Sequence, residues 1–175
     1  VLTPVNRLNP PSDMDLTAKI FQDALFAAIA AIGFAAISRP PLRAYPYCAL
    51  IAALGHSMRF ILMNNPAHPV HIFGASLAAA FFIGVLAVFL SPIARTPAEA
   101  CFFPSLLPMI PGMYAYKAFG GLAMCVLSDD PQVFDFYFFQ FSHNAFVCIS
   151  VLLGMVIGAT APVFIFKKIS FQATR

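Results

Sequence analysis

The sequence predicts an all-α integral membrane protein with five transmembrane helices, the fourth broken at a Pro/Gly element. Three observations carry that prediction. Of 175 residues, 61% are hydrophobic and only 10% are charged, whereas a soluble domain needs roughly a quarter charged residues to cover its surface. The apolar residues form continuous Ala- and Leu-rich runs, while a barrel requires alternating strands of about ten residues. Clusters of proline and polar residues separate the runs, and proline cannot continue a helix. With a mean hydropathy of +0.84, the soluble globular, disordered and nucleic-acid-binding classes are excluded, so no nucleic acid partner is expected.

Each span follows from an uncharged stretch long enough to cross about 30 Å of hydrocarbon. The first covers residues 21–37, its uncharged part being Ala24–Ile37, with a turn borrowed from Leu16–Asp23. The second covers 47–63, the third 72–90, the fourth 102–127 and the fifth 141–166. Arg39-Pro40-Pro41, Asn64-Asn65-Pro66, Ser91-Pro92 through Pro97, and Asp129-Asp130-Pro131 punctuate them. Residues 1–20 read as a polar N-terminal arm, 21–168 as the membrane domain and 169–175 as a short basic cytoplasmic tail. No basic region precedes the first apolar run, so no cleavable signal peptide is expected. Membrane lipid is the implied environment.

The basic residues give a direction. Arg39 and Arg43 follow the first span, Arg95 the third, and Lys167, Lys168 and Arg175 the fifth. Five spans put these three segments on one side, opposite the acidic Asp129/Asp130/Asp135 loop. The positive-inside rule then places the N-terminus outside and the C-terminus in the cytoplasm. A small chain with an odd number of spans also suggests one half of a secondary transporter, since many such proteins join two halves around a midplane site.

The second span contains Gly55-His56-Ser57-Met58-Arg59. His56 and Arg59 are three apart and share a helix face. A charge inside a span costs roughly 2.5–3.5 kcal/mol, so it usually faces a cavity or a partner. Near a helix end it can instead snorkel toward the headgroups. With the first span counted from its uncharged part, no Asp or Glu lies inside any span. Arg59 therefore lacks a carboxylate in its own chain, and a partner or an anionic substrate is expected to supply one. The fourth span holds Pro104, Pro108, Pro111 and Gly112, followed by Tyr116 and Lys117. Irregular backbone survives at membrane depth only when buried in protein or lining a cavity. A broken helix also exposes N–H groups that favour an anion. A simple kink or re-entrant packing device is the alternative, and a site-forming break is favoured because Lys117 and two tyrosines follow within a turn and a half.

Weaker candidates are Ser57 and the pair His143-Asn144, read as hydrated groups within a turn of the outer end of the fifth span. His68 and His71 have a spacing seen in metal sites, but two histidines do not make one. The four cysteines, Cys48, Cys101, Cys125 and Cys148, contain no CxxC pair and read as packing residues. No metal, cofactor or catalytic motif is expected. Gly154 and Gly158 form a GxxxG packing surface, and Ala27, Ala31 and Ala35 form a second small-residue row. Both suggest faces that need neighbours, hence an oligomer.

These motifs resemble a known family. Ala31-Ile32-Gly33-Phe34-Ala35, Pro41-Leu42-Arg43, Cys48-Ala49-Leu50 and Gly55-His56-Ser57-Met58-Arg59 are similar to the threonine/serine exporter family. The closer likeness is to its short, C-terminal-half subunit of the YjjB type. Pro108-Met109-Ile110-Pro111-Gly112-Met113-Tyr114-Ala115-Tyr116 matches the PxxPGxxxY element of that family, and Asn144 lies where its fifth span begins. The resemblance covers residues 20–168. It implies a subunit of a secondary exporter in the bacterial cytoplasmic membrane, moving threonine/serine-type amino acids or small dicarboxylates such as succinate outward. It also implies assembly with itself or with a separate N-terminal-half subunit. In this reading Arg59 and Lys117 neutralise the substrate carboxylate. Pro108, Pro111 and Gly112 offer backbone donors, Tyr116 adds a hydroxyl, and His56 carries a coupling proton. The alternative is a structural or assembly membrane protein without transport activity.

Overall fold

Proline and residues in the left-handed region set the helix ends. In the computed structural model, which describes residues 13–166, helix α1 runs Asp13–Ser38, α2 Tyr45–Met63, α3 Ile72–Ala94, α4 Ala98–Leu106, α5 Gly112–Leu127 and α6 Pro131–Ile165. No strand occurs among the described residues. Arg39 (φ 53°) ends α1 and Arg95 (φ 50°) ends α3, positions that usually fall to glycine. Pro46 sits in the first turn of α2, where its missing N–H costs nothing. The His71 ring accepts from Phe73 N at 3.4 Å and caps α3, giving this histidine a structural task. Asp130 Oδ1 accepts from Gln132 N at 2.9 Å and caps α6 just before Pro131.

Among the described residues, four helical segments are long and apolar enough to cross a membrane: Leu16–Ser38, Leu42–Met63, Ile72–Ala94 and Pro131–Ile165. The predicted span 102–127 is instead two helices, α4 and α5, joined by a 3₁₀ turn at Leu107–Met109 and by Ile110-Pro111. At 1.5 Å per residue, α4 and α5 extend only about 14 and 24 Å. Pro104 does not take part in the interruption, because it lies buried inside α4.

Three boundaries differ from expectation. Helix α1 begins at Asp13, inside the stretch read as a polar arm, because charged residues are tolerated on a helix that need not be apolar all round. Helix α3 continues past Pro92 to Ala94; a proline so near the C-terminus removes one hydrogen bond without stopping the last turn. Helix α6 starts ten residues before the expected 141, since Asp130 and Pro131 form a good helix start, and Asp135 is therefore helical. The basic residues Arg7, Lys167, Lys168 and Arg175, and the tail 169–175, lie outside the described residues.

The main packed pairs are α3 with α6, α1 with α2, and α5 with α6. Small residues bring the helices close, as expected where packing rather than hydrophobicity drives association. A Cβ on Gly158 would lie 2.6 Å from Leu77 O, and one on Gly154 would meet the Phe73 ring at 3.0 Å. The GxxxG surface thus packs on α3. Ala27, Ala31 and Ala35 are likewise buried, on a helix whose main partner is α2. These small-residue faces find neighbours within the chain, which removes them as the reason for an oligomer. Ile51, Ile83, Val88, Met109 and Val151 form the fully buried core. Helix α5 departs from this bundle. It packs on α6 as a hairpin, Gly121 lying against Tyr137 and Phe141, and its outer face exposes Met113, Tyr116 and Phe119.

Candidate functional site

Helix α2 presents His56 and Arg59 on one side, as their three-residue spacing requires. His56 is 9% exposed, and its Nδ1 lies 2.9 Å from Oδ2 of Asp23 on α1. Arg59 Nη1 donates to the Met109 carbonyl at 2.7 Å. Met109 is the last residue of the 3₁₀ turn between α4 and α5, and α1 also packs on that turn. Two ionisable side chains of α2, one of α1 and the interrupted backbone therefore meet in one place.

Asp23 overturns the expectation that Arg59 lacks a carboxylate in its own chain. It lies within hydrogen-bonding distance of His56 and close enough to act electrostatically on Arg59. The apolar-run reading began the first span at its uncharged part and left Asp23 at the rim. Helix α1 starts eleven residues before Ala24 and carries Asp23 in its third turn. The Lys19-to-Leu25 stretch, rich in helix formers, was the available signal. The Met109 carbonyl had no sequence signal, since it is a backbone group exposed by tertiary geometry.

The interruption spends most of its N–H groups locally. Gly112 N donates to Ile110 O at 2.8 Å, and Tyr114 N and Ala115 N both reach Pro111 O. What the break gives to Arg59 is an acceptor. Pro108 is half-buried within the turn, Pro111 is buried, and Gly112 is exposed as the first residue of α5. Ser57 is half-buried.

The remaining candidates are not brought to this cluster. Tyr116 is 73% exposed and Lys117 is exposed, both on α5, whose packing partner is α6. Among the described residues, neither makes a hydrogen bond or ion pair with Arg59, His56 or Asp23. His143 is exposed and stacks on Phe139, with ring centroids 6.0 Å apart. Asn144 is buried and donates to Gln140 O at 2.6 Å. Both lie more than three turns into α6. An apolar groove of about 210 Å³ between α4 and α6, lined by Phe103, Leu106, Ile110, Leu152 and Thr160, carries no charged group. It does not suit an anion.

At the opposite end of α2, Arg43 Nη2 donates to Arg95 O at 2.9 Å, which ties the α1–α2 and α3–α4 connections to the same end of the bundle. Ser105 Oγ lies 2.8 Å from both Cys48 O and Cys101 O, fixing α4 against α2. All four cysteines are free and buried.

The family described as Threonine/Serine exporter, ThrE, matches residues 23–165. Over 157 residues the chain is 36% identical to an uncharacterized protein of Haemophilus influenzae, an alignment covering 86% of this chain and 48% of that relative. The chain thus spans about half the length of that relative. No solved structure matches.

Proposed function

Because the chain belongs to the threonine/serine exporter family, we propose that it acts as one five-span half of a secondary exporter for small carboxylate metabolites. Its proposed substrates are threonine/serine-type amino acids or small dicarboxylates such as succinate. The observation that carries this reading is the meeting of Arg59, His56 and Asp23 at the α4–α5 interruption. Arg59 uses one nitrogen on Met109, which leaves further N–H groups for a carboxylate. In this proposal α4 and α5 together make the fourth crossing, broken at Leu107–Pro111. Broken helices of this kind typically form transporter sites near the midplane.

Lys117 and Tyr116 then belong to the far side of the site, contributed across an interface rather than within this bundle. Lys117 is exposed on a proposed span, a position that costs roughly 2.5–3.5 kcal/mol without a polar partner. A second membrane chain, either another copy or a separate N-terminal-half subunit, would supply one. The half-length match to the relative fits the second option.

The proposed location is the bacterial cytoplasmic membrane, with the N-terminus outside. Arg39, Arg43 and Arg95 at one end of the bundle support it. Asp129→Cys should be labelled by an impermeant thiol reagent from outside, and Glu99→Cys should not. The reverse pattern would invert the topology. The buried native cysteines leave a low background.

A scaffold reading has one observation in its favour: Arg59 and His56 both already have partners within the chain. Ligand-dependent stability separates the two. Purified complex heated with L-threonine or with succinate should unfold at a higher temperature than without, because a ligand that binds only the folded state adds stability. A hundredfold excess over Kd adds about 2.7 kcal/mol. No protection by any small carboxylate supports the scaffold.

A further inference from the structure

We propose that Asp23 is the positioning residue of a proton-carrying pair, holding His56 so that Nε2 is the atom that takes and releases the coupling proton. This rests on the transport reading above. It adds to that reading a residue, an atom and a chemical role.

Three observations carry it. Asp23 Oδ2 is 2.9 Å from His56 Nδ1. An ionised carboxylate only accepts hydrogen bonds, so Nδ1 bears the hydrogen and donates. In the neutral ring Nε2 therefore holds a lone pair, and Nε2 is buried with no hydrogen-bond partner among the described residues. Leaving such an atom unpaired is unfavourable. A purely structural histidine placed here would gain by finding a partner for it, whereas a proton carrier needs that lone pair open. Asp23 is also reachable, its side chain being 31% exposed.

The charges around the ring are few. Helix α1 contributes Asp23, with Lys19 exposed one turn earlier. Helix α2 contributes Arg59 on the same side. Helix α3, which packs its Ile83 against Gly55, contains no titratable residue. The titratable groups of α4 are Glu99 and Cys101, near the Cys48 end of α2 and more than two turns from His56.

The step is a simple one. Nε2 accepts a proton arriving from outside, forming an N–H bond, and Nδ1–H stays on Asp23. The same proton later leaves Nε2 toward the cytoplasm, restoring the neutral ring. Between those events the group formed by Asp23, His56 and Arg59 changes from neutral to singly positive. Binding of a charged substrate beside it is therefore linked to proton binding, and the linkage is reciprocal. Asp23 supplies the orientation and the counter-charge, in the way carboxylates fix the tautomer of histidines elsewhere.

The test uses the full exporter complex in liposomes, with radiolabelled L-threonine and, separately, succinate. Two rates are compared: exchange at equal concentrations without a gradient, and accumulation driven by an imposed pH gradient. Asp23→Asn keeps an oxygen to accept the Nδ1–H bond but removes the charge. Whatever it does to exchange, it should lower gradient-driven accumulation relative to exchange by about tenfold, within the usual 5- to 150-fold range of coupling. Asp23→Glu should restore accumulation. His56→Gln should behave as Asp23→Asn does, and the double variant should be no worse than either, as expected of residues acting as one unit. If Asp23→Asn does not reach the membrane, His56→Gln alone makes the same comparison. A variant in which exchange and accumulation fall together, or in which accumulation is unchanged, overturns the proposal. Wild-type complex that shows no exchange removes the transport reading itself, and this inference with it.

Discussion

Arg59→Lys is expected to insert normally and to lose export by about tenfold to hundredfold, the equivalent of one charge-assisted hydrogen bond at about 1.5–3 kcal/mol. The structure sharpens the comparison. Arg59 gives a single nitrogen to the Met109 carbonyl, and a lysine ammonium can make that one bond. It can also snorkel as well as arginine. A residue that only anchors the interruption should therefore tolerate lysine. What lysine lacks is the planar fork that meets a carboxylate with two parallel bonds. Export of a labelled carboxylate from loaded cells, measured beside membrane abundance, reads the difference. Near-normal export at equal abundance would remove Arg59 from substrate contact.

Gly84→Leu is expected to prevent accumulation of the folded chain. A Cβ at Gly84 would lie 2.5 Å from Ala159 O and 3.0 Å from Pro162 Cγ, so α3 and α6 must part before any side chain fits. Parting two helices forfeits their van der Waals contact, the main attraction available between them in lipid. Overpacking of this kind costs about 1–3 kcal/mol for modest insertions and more for a bulky one. Because 1–2 kcal/mol already changes cellular abundance several-fold, loss should be nearly complete. Gly33→Ala is the matched control: nothing lies within 4 Å of its Cβ position, and replacing a mid-helix glycine gains roughly 0.5–1 kcal/mol. Membrane abundance and thermal stability in mild detergent should move in opposite directions for the two variants. Equal abundance would mean that the α3–α6 contact is not this close.

Composition and the continuity of apolar runs by themselves determined that the chain is helical and built for a membrane, because hydrocarbon admits only backbones that satisfy their own hydrogen bonds. Pro and Gly spacing argued against one continuous helix over residues 102–127, since those residue types act on the backbone where they stand. The shared helix face of His56 and Arg59 was legible for the same reason: a three-residue separation is a property of one helix. Tertiary structure alone decided everything that depends on two helices meeting. It took Asp23 from the rim of an apolar run to hydrogen-bonding distance of His56. It turned the interruption from a source of donors into the acceptor for Arg59. It also left Lys117 and Tyr116 on a hairpin away from the cluster, and directed Gly154 and Gly158 inward onto α3. Local residue patterns encode faces and breaks; which face meets which is set by close packing among all six helices at once.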